Sequence, residues 1–190
     1  QKLVGTELDI SGNVDVDGTT ETDVLTINGS QFNYKAFGTS SIMIGDDATG
    51  TIDGANYNVG LGVDVFAALT SGDQNVAVGY AALNANTTGI QNVAIGTAAL
   101  DTNTTGNYNT AVGYASLTAN IGGTQNASLG SYSMDANTTG NNNSGFGHAS
   151  VSANTTGSDN TALGAAALSS NTTASNNTAV GSSALNTNTT

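Results

Sequence analysis

Asn92-Val93-Ala94-Ile95-Gly96-Thr97-Ala98-Ala99-Leu100-Asp101-Thr102-Asn103-Thr104-Thr105-Gly106-Asn107-Tyr108 runs directly into Asn109-Thr110-Ala111-Val112-Gly113-Tyr114-Ala115-Ser116-Leu117, which starts the same pattern again. Working outward, Asn58, Asn75, Asn92, Asn109, Asn126, Asn143, Asn160 and Asn177 are each 17 residues apart, and a glycine stands four residues after every one of them, from Gly62 to Gly181. Gly45 extends the glycine column backwards, with Ser41 in the Asn position. Internal repetition of this kind takes precedence over any local reading. Counted from Ser41, the array holds eight full units and a ninth cut at Thr190, so the natural chain is expected to continue.

With each unit numbered from its Asn, position 4 is always large and apolar (Ile44 to Val180) and position 9 nearly always so, with Thr49 the exception. Positions 7 and 8 are mostly Ala or Ser, position 12 is Asn from Asn86 to Asn188, and position 15 is Gly from Gly72 to Gly157. The apolar spacings of 5 and 12 residues fit no helical stripe, and two Gly with several Asn and Thr per unit oppose a helix. Short strands separated by Gly and Asn turns fit, so the unit reads as one coil of a parallel β-solenoid, with coils stacked ~4.8 Å apart and a rod ~40 Å long. In such a stack the Asn columns become hydrogen-bonded ladders, and the Gly columns supply turns with positive φ. Positions 4 and 9 are expected to form the core. Two large residues per coil are few against an ordering entropy of ~1–2 kcal/mol per residue. The small Ala and Ser columns then suggest close approach of neighbouring chains, with a homotrimer as the expected closure.

Composition narrows the functions. The 190 residues carry 2 basic and 14 acidic side chains, a net charge of −12, which argues against nucleic acid and against anionic membranes. No apolar run is long enough to span a bilayer, so no membrane insertion is expected. There is no Cys, which removes disulfides, thiolate zinc sites and thiol nucleophiles. No signal peptide is visible, and the absent initiator Met suggests that the true start lies upstream.

Residues 1–40 differ from the array at 41–190. Eleven of the fourteen acids lie within residues 1–73. Leu8-Asp9-Ile10-Ser11-Gly12, Val14-Asp15-Val16-Asp17-Gly18 and Val24-Leu25-Thr26-Ile27-Asn28-Gly29 alternate apolar and polar residues and close on Gly, the pattern of short strands and turns. Short strands cannot bury an apolar face alone, so interlocked strands from several chains are expected, with residues 32–39 as the transition into the repeats.

Asn109-Thr110-Ala111-Val112-Gly113-Tyr114-Ala115-Ser116-Leu117 followed by Asn120 resembles the head repeats of trimeric autotransporter adhesins, which are usually shorter and lack the added Asn-Thr-Thr-Gly turn. That resemblance implies a left-handed parallel β-roll in a homotrimer. Leu8-Asp9-Ile10-Ser11-Gly12-Asn13-Val14-Asp15-Val16-Asp17-Gly18-Thr19-Thr20 resembles the shaft of tail fibres from tailed phages, marine ones especially, and the repeats are similar to those in such fibres.

Candidate sites are sparse. His148, the only histidine, falls at position 6, a varied column read as solvent-facing, and it lacks the partners a catalytic or metal site needs. Asp15 and Asp17 point to one face of a strand, where Asp9 could join them in a Ca²⁺ site, but a solvated acidic edge that discourages aggregation is the favoured reading. Asp46, Asp47 and Asp53 read as a cap. Among Asp64, Asp73, Asp101, Asp135 and Asp159, only Asp101 and Asp135 share column 10; at two coils, ~9.6 Å, they could suit glycan cleavage, but Thr118 stands between them. Tyr80, Tyr114 and Tyr132 suggest a sugar-stacking stripe, although Tyr132 lies one column over and is expected to face elsewhere. The Asn-Thr-Thr segments match glycosylation sequons, yet the turn alone accounts for them. The sequence thus assigns no catalytic, cofactor-binding or metal-ligating residue and suggests no enzyme.

The expectation is a structural virion protein: an all-β, homotrimeric tail-fibre segment on the virion tail that holds a receptor-binding tip away from the particle. It would contact other tail or baseplate proteins and, through a distal region, a host glycan or receptor. The alternative is a trimeric adhesin on a bacterial surface. An ice-binding solenoid is a further reading, from the Thr columns at positions 13 and 14.

Overall fold

The computed structural model describes residues 25–27, 30–32, 34–37, 41–44 and 54–189. Two compact units divide the chain after Phe32. In the first, β1 (Leu25–Ile27) pairs antiparallel with β2 (Ser30–Phe32), with Ile27 opposite Ser30. Only Asn28-Gly29 connects them, a dipeptide favoured in two-residue hairpin loops.

The second unit is an all-β parallel solenoid. β3 (Tyr34–Phe37) pairs antiparallel with β4 (Ser41–Ile44), and every later pairing is parallel, through β5 (Val59–Leu61), β6 (Val76–Val78), β7 (Val93–Ile95), β8 (Thr110–Val112), β9 (Ala127–Leu129), β10 (Ser144–Phe146), β11 (Thr161–Leu163) and β12 (Thr178–Val180). The register never slips: Ala77 opposes Ala94, which opposes Ala111. From β5 to β12 the chain makes seven 17-residue turns, ~34 Å of stack at the usual strand spacing. No helix occurs among the described residues.

Each coil has one three-residue strand, but its inter-coil hydrogen bonds continue around the circumference. Val76 N–H donates to Asn92 O in the next coil, Leu83 N–H to Ala99 O and Ala85 N–H to Asp101 O, whereas Gly79 N–H and Ala81 N–H donate backwards to Leu61 O and Val63 O. The curve beyond the strand is made by left-handed residues. Position 5 is Gly with φ from 118° to 141°, and positions 7, 9 and 17 hold non-Gly residues with φ of 49–63°. The glycines at position 15 are not in that region; a Cβ there would run into the carbonyl of the next coil, as at Gly89 against Gly106 O.

The core corrects one sequence expectation. Position 9 is inside as expected: Phe66, Leu83, Leu100, Leu117, Met134, Val151 and Leu168 are all fully buried, each stabilising the fold by about 1.5–3 kcal/mol relative to exposure. Position 4 is outside. Leu61, Ile95, Leu129 and Leu163 are 41–51 % exposed, while the small residue before each, at position 3, is buried. Alternation along a strand permits only one of two adjacent columns inside. The narrow coil takes the small one, because two Asn ladders already occupy its interior. Of the small columns at positions 7 and 8, position 8 packs within the chain from Ala82 to Ala167 and offers neighbours no surface, whereas position 7 is half-buried at Ala98, Ala149 and Ala166.

Those ladders stand as expected. At position 1, Asn58 Oδ1 accepts from Asn75 N–H at 2.9 Å, and the pattern repeats up to Asn177. At position 12, Asn103 Nδ2 donates to Asn86 Oδ1 at 3.1 Å, again repeating up the stack. The two ladders meet on the position 15 carbonyl: Gly89 O accepts from Asn75 Nδ2 at 2.9 Å and from Asn86 Nδ2 at 3.0 Å. Buried amides are tolerable only when satisfied in this way.

The ends depart from the pattern. In the coil that starts at Asn58, the first described throughout, Leu69 replaces the position 12 Asn and joins Val65 and Phe66 in an apolar base. In the last, Leu185 is 50 % exposed, since no further coil covers it among the described residues.

Candidate functional site

Two surface features stand out, and neither is a cleft. The first is the outer face of the sheet. Column 4 presents Leu61, Val78, Ile95, Val112, Leu129, Phe146, Leu163 and Val180 in one unbroken apolar file across eight coils, with Val59, Val76 and Val93 beside it in column 2. Exposed apolar residues scattered singly need no explanation, but a contiguous file marks an interaction surface.

The second is aromatic. Tyr114 and Tyr132 meet edge to face with ring centroids 5.2 Å apart, and Tyr132 meets His148 similarly at 6.1 Å. All three are exposed and stand on consecutive coils. This corrects the expectation that Tyr132 faces away from Tyr114. Column-by-column facing rests on extended backbone, and Tyr132 at position 7 has φ of 56°, which swings its ring towards column 6. Tyr132's phenol is held above its usual 10.0, first by hydrogen bonding with Tyr114, then by the charge of Tyr114, by desolvation and by the charge of Asp135.

Asp101 and Asp135 occupy column 10 with Thr118 between them, and burial pushes both carboxyls above the usual 3.8. Asp135 Oδ1 is buried without a hydrogen-bond partner. A raised carboxyl binds its proton more readily in the folded state than in the unfolded chain. Stability from this source is therefore full below about pH 3.8 and lost as pH rises through the raised values. Replacing both by Asn should raise the thermal midpoint at pH 7 and flatten that slope; unchanged melting curves at pH 4 and pH 7 would refute it.

Two of the remaining described carboxylates accept hydrogen bonds. Asp73 Oδ1 accepts from Asn56 N–H at 2.7 Å, the place Asn107 takes for Ile90 N–H two coils on. Asp159 Oδ1 accepts from Asn142 Nδ2 at 3.2 Å, and Asp64 is a half-buried position 7 residue whose carbonyl accepts from Asn84. Asp9, Asp15, Asp17, Asp46, Asp47 and Asp53 lie outside the described residues. Among the described residues, no group of three His, Asp or Glu could hold a metal ion.

Five of the six Asn-Thr-Thr sequons are closed off. Asn86, Asn103, Asn137, Asn154 and Asn171 are fully buried with their amides donated, so no glycan can be attached to them in the folded coil. The Thr columns are also unequal. Position 13 hydroxyls donate to the next coil, as Thr87 does to Thr104 O at 3.0 Å and Thr138 to Thr155 O at 2.9 Å. What remains outside is one file (Thr88, Thr105, Thr139, Thr156 and Thr173), broken at Gly122, rather than the paired rows an ice-binding face presents.

Neither protein-family models, curated proteins nor solved structures give a match to this chain.

Proposed function

We propose that this chain is a segment of a homotrimeric fibre shaft on a virion tail, and that its task is mechanical. The observation that carries the proposal is the unbroken column 4 file on the sheet face. A monomer would leave eight large apolar side chains in water on one straight line; packing against two further copies buries them. The two Asn ladders and the circumferential backbone hydrogen bonds make each coil a rigid continuation of the last, as a spacer between particle and receptor requires. Attachment to other tail or baseplate proteins and a receptor-binding tip beyond the shaft complete this reading. A trimeric adhesin on a bacterial surface would use the same face, and immunogold labelling of virions against cells separates the two.

Light scattering behind size exclusion tests the assembly. Three chains of 18.7 kDa give about 56 kDa. Replacing Ile95 and Leu129 together by Lys, both half-exposed within the single chain, should leave its fold intact and shift the mass to one chain. A monomeric wild type, or a double variant of unchanged mass, would sink the proposal.

A further inference from the structure

Position 7 is Ala in five of the eight coils, and Tyr132 is its one aromatic. Its φ of 56° is the turn geometry that position 7 takes in every coil, so it sets the direction of the ring. The ring is not spent on burial: Tyr132 is 43 % and Tyr114 50 % exposed, with His148 exposed beside them. Three coils therefore present three edge-to-face rings along about 10 Å of the rod, two coil steps.

We infer that Tyr114, Tyr132 and His148 form a binding patch on the side of the solenoid for a neutral pyranose glycan. The C–H faces of the sugar rings stack on the aromatic surfaces. The net charge of −12 disfavours acidic glycans and nucleic acid at this surface. The patch lies outside column 4 and does not depend on the fibre reading.

Affinity electrophoresis suits a strongly acidic chain. Native gels would be cast with dextran, pullulan, galactomannan or a soluble β-glucan, and hyaluronan would serve as the acidic counterpart. The wild type should be retarded by at least one neutral polysaccharide. Tyr132→Ala should lower the apparent affinity about tenfold or more, the scale of a lost aromatic stacking contact. Tyr108→Ala, which alters an exposed tyrosine outside the cluster, should change nothing. No retardation in any neutral gel, retardation by hyaluronan alone, or equal retardation of Tyr132→Ala and the wild type would each overturn the proposal. So would a change in solution mass of Tyr132→Ala, because the rings would then be a contact between copies of the chain.

Discussion

Asn109→Ala should destabilise the solenoid by about 3–5 kcal/mol, far more than the loss of one surface amide. Its Oδ1 accepts from Asn126 N–H at 3.0 Å and from Asn126 Nδ2 at 3.2 Å, and its Nδ2 donates to Gly123 O at 2.8 Å. Asn126 Nδ2 keeps Gly140 O, and Gly123 O keeps Asn120 Nδ2. The Asn126 N–H keeps nothing. A buried donor left without a partner costs about 1–3 kcal/mol, and the other two lost bonds about 0.5–1.5 kcal/mol each. Asn186→Ala, at an exposed position, should stay within about 0.5 kcal/mol. Urea unfolding followed by circular dichroism measures both. Because neighbouring coils are the unit of cooperativity in a repeat array, hydrogen exchange should show protection lost first in the coils flanking residue 109. Equal effects of the two substitutions would mean that the ladder is not what joins the coils.

Gly113→Ala should be at least as damaging, and Gly122→Ala should be harmless. Gly113 has φ of 137°, and an added Cβ would sit 2.6 Å from both C and O of Gly130 in the next coil. The obstacle is backbone, held in place by the register of the whole stack, so it cannot step aside. Strain at such a φ costs about 1–3 kcal/mol and overpacking a further 1–3 kcal/mol, which places the expected loss near 4 kcal/mol. At Gly122 the nearest atom is Thr105 Oγ1 at 3.5 Å and φ is ordinary; a small gain of about 0.4–1 kcal/mol is expected there from a stiffer unfolded chain. Comparable losses at both sites would show that glycine is needed at Gly113 for some reason other than close approach of the coils.

Much of this architecture can be read from residue order. The 17-residue period specifies one coil per repeat, and the columns at positions 1 and 12 can only become ladders once coils stack in register. Position 9 is inside because nothing else in the unit is both large and consistently apolar on that stretch. Position 15 shows where such reading stops. Glycine there suggests a positive-φ turn, but the real reason is space: a Cβ on Gly106 would meet Asn103 Oδ1 and Gly123 O, the parts of a ladder and of the coil beyond it. The aromatic patch is half legible. Tyr114 and Tyr132 both stand in the sequence as candidates for sugar stacking, but their meeting depends on one left-handed residue.

Residue order is enough for the period, the parallel stacking and the hydrogen-bonding columns, because an unbroken repeat of Asn and Gly leaves each coil only the next coil as a partner. Which side of each three-residue strand faces inward follows from packing alone. Two adjacent columns, small and large, alternate equally well. The interior filled by amide ladders and position 9 side chains has room for Ala but not for Ile or Leu, so the larger column is turned out to where a partner can cover it.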